Sequence, residues 1–120
     1  MRPHENLNVW KKAVDFVVEV YKTTEHFPKE ERFGLTSQIR RASVSVAANI
    51  AEGAARKSIK EFSHFLSNAQ GSASEVETEL LILFRLGYLS QAQLVAYQKS
   101  LDSIGKMMNG LNRRLQQKML

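Results

Sequence analysis

The chain has 120 residues, no cysteine and a formal net charge of +5. That length suits one domain whose core needs no staples, and the missing cysteine excludes disulfides, thiolate metal sites and thiol chemistry, as in a cytoplasmic protein. No apolar run approaches the ~20 residues that span a bilayer, and Met1-Arg2-Pro3-His4-Glu5-Asn6 has no apolar stretch behind its charge, so neither membrane contact nor a signal peptide is expected.

Residues 1–7 carry Pro3 among polar neighbours and read as an irregular arm. Asn6 or Asn8 caps a first helix that runs to about Glu25. Its apolar line is Trp10, Val14, Val17 and Tyr21, flanked by Ala13, Val18 and Val20, with Lys11, Lys12, Asp15, Glu19 and Lys22 on the other face. Pro28 ends it, because the residue before a proline avoids the helical region. A short turn with Glu30 and Glu31 follows, then Thr36 or Ser37 recaps the chain. The second helix runs from about Leu35 and stops at Gly53.

Ser58 and Glu61 have the capping-box spacing that opens a third helix, over 59–86, with Gly87 supplying the left-handed residue after it. Its apolar seam is Phe62, Leu66, Ala69, Ala73, Val76, Leu80 and Leu83. Ser90 and Gln93 open the fourth helix, over 91–117, with the seam Leu94, Tyr97, Leu101, Ile104, Met108, Leu111 and Leu115. Both seams alternate steps of three and four, the mark of helices packing along their length. The reading is an all-α, antiparallel up-down-up-down four-helix bundle, one domain over 1–120.

Two places carry more apolar surface than a seam needs. The second helix is small or apolar nearly all round from Ala42 to Ala51, and Leu81 and Ile82 point away from the third seam. A helix apolar all round is normally buried all round, so another copy of the chain is the expected cover. Val44, Ala48, Leu81 and Ile82 are the candidate interface residues.

Residues arranged for chemistry are few. Glu61-Phe62-Ser63-His64 has Glu-x-x-His spacing, but di-iron bundles need that pair on two helices and this chain has one copy. Nothing orients a third member beside Ser43, Ser45 and His64. No catalytic, cofactor or metal site and no small-molecule substrate are expected. Arg40 and Arg41 enter an otherwise apolar helix, with Asn49 and Glu52 further along it. Such arginines call for carboxylate partners, with Glu52, Glu75, Glu77 and Glu79 the candidates, so these residues read as a structural polar network. Arg56, Lys57 and Lys60 stay open between a solvated loop and a phosphate-binding cluster. Residues 91–120 set Lys99, Lys106, Arg113, Arg114 and Lys118 against Asp102 alone. These five are the candidate nucleic-acid contacts; the bland reading is a soluble helix face whose cations suit a helix C-terminus.

Several stretches resemble one family: Leu7-Asn8-Val9-Trp10-Lys11-Lys12-Ala13, Phe27-Pro28-Lys29-Glu30-Glu31, Gln38-Ile39-Arg40-Arg41-Ala42, Asn49-Ile50-Ala51-Glu52-Gly53, Glu75-Val76-Glu77-Thr78 and Leu86-Gly87-Tyr88. They are similar to proteins first recognised as reading frames in intervening sequences of bacterial large-subunit ribosomal RNA genes. The resemblance implies a bacterial, cytoplasmic four-helix bundle. It also implies self-association, since a relative in fold, an accessory protein of diversity-generating retroelements, is a basic pentameric ring that partners a reverse transcriptase and nucleic acid. It supplies no established activity. Three readings follow: an oligomeric scaffold holding RNA or DNA by its phosphates, a protein-binding or structural oligomer, and an enzyme, which is not expected.

Overall fold

The computed structural model describes residues 1–119. Four helices account for most of them: α1 (Asn8–Thr24), α2 (Leu35–Ala54), α3 (Ile59–Arg85) and α4 (Gln91–Lys118). Among the described residues there is no strand. The bundle measures 49 × 22 × 21 Å. Cross-helix contacts fix alternating directions: Thr24 near the end of α1 meets Arg40 near the start of α2, and Ser63 and Gln70 on α3 meet Asn112 and Asn109 on α4.

The third and fourth seams pack as their spacing demands. Leu66, Ala69, Val76, Leu80 and Leu83 are buried on α3, and all seven seam residues are buried on α4. The first helix differs. Its core line is Val9, Ala13, Phe16 and Val20, while Trp10, Val14 and Val17 are half-buried and Tyr21 is exposed. The expected line is instead the flank turned toward α2, where the Arg40 guanidinium stacks 4.5 Å from the Tyr21 ring centre. In a helix this rich in valine, apolar residues cover more than half the circumference, so periodicity alone does not pick the innermost line.

Caps explain most of the boundaries. After α3, Gly87 takes φ +84°, and the amides of Gly87 and Tyr88 bond back to the carbonyls of Phe84 and Leu83. This double closure turns the chain sharply into α4. Ser90 and Gln93 form a full reciprocal box. Ser58 accepts from the Glu61 amide at 3.1 Å, but the Glu61 carboxylate takes the Ser58 hydroxyl rather than its backbone, so this box is half-made. Neither asparagine caps α1: Leu7 holds the cap position, preceded by a 3-10 turn over Pro3–Asn6 where an irregular arm was expected. Gly34 holds that place before α2, leaving Thr36 inside the helix with a buried hydroxyl that has no partner.

Gly53 does not stop α2, which continues to Ala54. It is buried, and a Cβ there would lie 2.9 Å from both Phe62 Cδ1 and Phe65 Cβ. Its role is to let α3 approach, and α2 with α3 is the closest helix pair in the bundle. The Gly53→Ala variant should therefore lose ~1–3 kcal/mol in urea unfolding, because Phe65 Cβ is anchored to backbone and cannot swing aside. Gly71→Ala, where nothing lies within 4 Å of the new methyl, should gain up to ~1 kcal/mol. A neutral Gly53→Ala contradicts this account of the α2–α3 contact.

Candidate nucleic-acid interface and polar seam

The five candidate cations on α4 are all exposed, but they do not share one environment. Lys106 lies in a groove of about 320 Å³ between α3 and α4 that also holds Glu77 and Asp102. Lys99 sits three residues before Asp102, on the same stretch of helix. Arg113, Arg114 and Lys118 lie in the last turns, where no acid follows Asp102 on α4. A methyl at Gly110 would stand 3.7 Å from Arg114 Nη1 and 3.9 Å from Arg113 Nη2, so both guanidinium groups gather over bare backbone. Among the described residues neither forms an ion pair. Arg114 also lines a second groove, of about 420 Å³, with Asn6, Asn8 and Lys106. The upper cations thus have carboxylate neighbours on or beside their own stretch of α4, and among the described residues the lower ones form no ion pair.

The expected polar network divides into separate pieces. Arg40 takes hydroxyl and ring partners rather than a carboxylate: its Nε donates to Thr24 Oγ1 at 2.8 Å and its head covers Tyr21. Asn49 donates to the Ser45 carbonyl and hydroxyl, and Ser45 meets Ser72 across the α2–α3 contact at 2.8 Å. Glu52 pairs with Arg56 at 3.7 Å, both well exposed, which contributes little to stability. Arg56 also stacks on Phe65, 4.7 Å from the ring centre, and His64 meets the same ring edge-on. Among the described residues no cluster of three potential ligands is placed to hold a metal ion.

Glu79 is the residue that sequence reasoning passed over as one of four candidate partners. Only 4% of it is exposed, and its Oε1 has no hydrogen-bond partner. Burial pushes its carboxyl up from 4.5 to about 7, and Glu75 one turn away adds to the rise, both by hydrogen bonding and as a like charge; Arg41 pulls the other way. The exposed Arg41 is therefore near a carboxylate, as expected, but does not form a close ion pair with it. The signal was present in principle: Glu79 lies beside the seam residue Leu80, on the flank that faces α2.

The four candidate interface residues are exposed, Val44 by 42%, Leu81 by 40% and Ile82 by 41%, with Ala48 in the open as well. They form two patches rather than one. From the Tyr21–Arg40 contact, one turn along the antiparallel pair brings the exposed Val18 level with Val44, so Val18, Val44 and Ala48 make one patch. The Ser45–Ser72 contact sets Val44 level with the middle of α3. Leu81 and Ile82 lie about 14 Å further along α3, at the ~1.5 Å rise per residue, with Leu86 beside them.

The shifted carboxyl has a consequence for stability. Because the folded chain holds the Glu79 proton to about pH 7 and the unfolded chain releases it near 4.5, this contribution is whole below 4.5 and is lost as pH rises through 7. The loss is ~3 kcal/mol at most. Urea unfolding across that range should show the decline, and Glu79→Gln should flatten it and be the more stable protein at about pH 8. An unchanged slope in the variant contradicts the assignment.

Comparison with known proteins places this bundle. A comparison with curated proteins finds no match. A crystal structure of a protein of unknown function from the S23 ribosomal protein family of Bacteroides thetaiotaomicron is similar, with a TM-score of 0.78 and 27% identity, over 87% of this chain and 97% of that one. The profile of the 23S rRNA-intervening sequence proteins matches residues 5–110, nearly all of α1 to α4. The chain belongs to the 23S rRNA-intervening sequence protein family.

Proposed function

We propose that this chain is a self-associating helical scaffold rather than a catalyst. The supporting observation is the pair of apolar patches, Val18–Val44–Ala48 on the α1–α2 face and Leu81–Ile82–Leu86 on the far half of α3. Each is made of side chains that a solitary bundle leaves in water, and burial of such surface is the main driving force for association.

Their separation bears on the form of the assembly. A two-fold dimer uses one patch twice, whereas two different patches on one chain suit a head-to-tail contact, which closes into a ring when the rotation allows. This agrees with the ring implied by the family resemblance. Small residues at Ala48 and Ala51 on the outer side of α2 would let a neighbouring backbone come close. Long, rigid helices then serve as walls, and the work of the protein is to hold partners in place.

Sedimentation velocity at micromolar concentration should give a mass that is a multiple of 13.6 kDa. Val44→Glu with Ala48→Glu should reduce it to the monomer while leaving the helical circular dichroism intact. A parent chain that sediments as a monomer overturns the proposal.

A further inference from the structure

The topology gathers the chain's net charge at one end. Three segments meet there: the start of the chain into the first turn of α1, the α2–α3 connection, and the last turns of α4. The first brings Arg2, Lys11 and Lys12; the second brings Arg56, Lys57 and Lys60; the third brings Arg113, Arg114 and Lys118. Against these nine cations stand Glu5, Glu52 and Glu61. This end therefore carries +6, and the remainder of the chain, with eight cations and nine acids, carries −1, which together give the +5 of the whole. Of the three acids, Glu52 is paired with Arg56 and Glu61 is engaged with the Ser58 hydroxyl.

We infer that this end is a binding site for the phosphate backbone of RNA or DNA. The cations come from three segments far apart in sequence and surround a section about 22 × 21 Å across. Several stand on the sides of the helices rather than on the tip, among them Lys11 on α1, Lys60 on α3 and Arg113 on α4. A flat bilayer touches only the tip, whereas a strand of successive phosphates can wrap the flanks. Four of the nine are arginines, whose planar fork matches a phosphate in two-point contact. Arg56 is held in place by the Phe65 ring, and Arg113 and Arg114 converge over Gly110. The groove between the start of α1 and the end of α4, with Arg114 and Lys106 on its wall, gives such a strand a track.

The location differs from a stripe along α4. Lys99 lies about 20 Å up the helix from Arg113, beside Asp102, while Lys106, about 10 Å up, stands between the groove with Glu77 and Asp102 and the one it shares with Arg114. Contacts to phosphate carry no base information, so binding should be indifferent to sequence, similar for RNA and DNA, and steeply dependent on salt. The site is complete within one chain and needs no self-association.

The test is fluorescence anisotropy with a short labelled single strand of mixed sequence, made as RNA and as DNA, alongside sedimentation of phosphatidylserine vesicles. The parent should bind both strands at low salt, about 50 mM, more tightly than the vesicles. Lys57→Glu, Lys60→Glu and Arg114→Glu combined should weaken strand binding by at least about tenfold and lower the salt slope by about two. Lys22→Glu with Lys99→Glu, both toward the other end of the bundle, should change it less than about twofold. If the triple variant loses helical signal, Lys57→Gln with Lys60→Gln replaces it, with a weakening of about threefold expected. No strand binding by the parent overturns the inference. So does an equal loss in the Lys22–Lys99 pair, binding of only one of the two nucleic acids, or capture by vesicles in preference to strands. A chain that binds strands as a monomer leaves this site standing and removes the scaffold reading; an oligomer that binds no strand does the reverse.

Discussion

The close approach of α2 to α3 is the contact on which the rest of the bundle depends. It is made by what α2 lacks: bulk. Gly53 admits the Phe62 and Phe65 side chains, and Ser45 meets Ser72 where larger residues would hold the helices apart. Dispersion falls off steeply with separation, so a helix of small residues gains its packing by nearness rather than by size of side chain. The same choice has two costs. Glu79 is sealed into the joint with one carboxylate oxygen unpartnered, and Thr36 and Ser43 bury hydroxyls with none. Each of these opposes folding, and the apolar seams must offset them.

A thin α2 also shapes the outside of the molecule. Its inner face is consumed by α1 and α3, and what remains outward is Val44, Ala48 and their small neighbours. Such a surface binds water poorly and hinders no approaching backbone. The apolar patches lie along the shaft of the bundle, while the cations gather at one end. Association and anion binding therefore occupy different surfaces. In a cyclic assembly every copy is related by rotation about one axis, so all the basic ends would share one rim and weak phosphate contacts would add by avidity.

The architecture was legible in the sequence because it rests on local rules. The seams of α3 and α4 have one strict line each, and Gly87 and Ser90 mark a turn that only such residues make; those elements lie within a residue of where the pattern puts them. The line of α1 was harder, since its valines cover two faces and only the neighbours decide which is innermost. Gly53 misleads for a related reason: a glycine near a helix end signals a stop or a close contact, and the sequence does not distinguish them. The candidate site was legible only in part. Exposure of the α4 cations follows from the seam, but their neighbours do not. That Glu77 stands by Lys106, or that Arg56 and Lys60 share an end with Arg114, depends on folding together segments about thirty to sixty residues apart, and no periodicity reports it.

Native-state hydrogen exchange tests the central role of the α2–α3 joint most directly, because it reads the stability of each helix separately. The slowest amides, those that open only with global unfolding, should lie on the facing turns of α2 and α3 around Val46, Ile50, Leu66 and Ala69, with α1 and α4 exchanging earlier. Slowest exchange in α1 or α4, with α2 opening first, would contradict it.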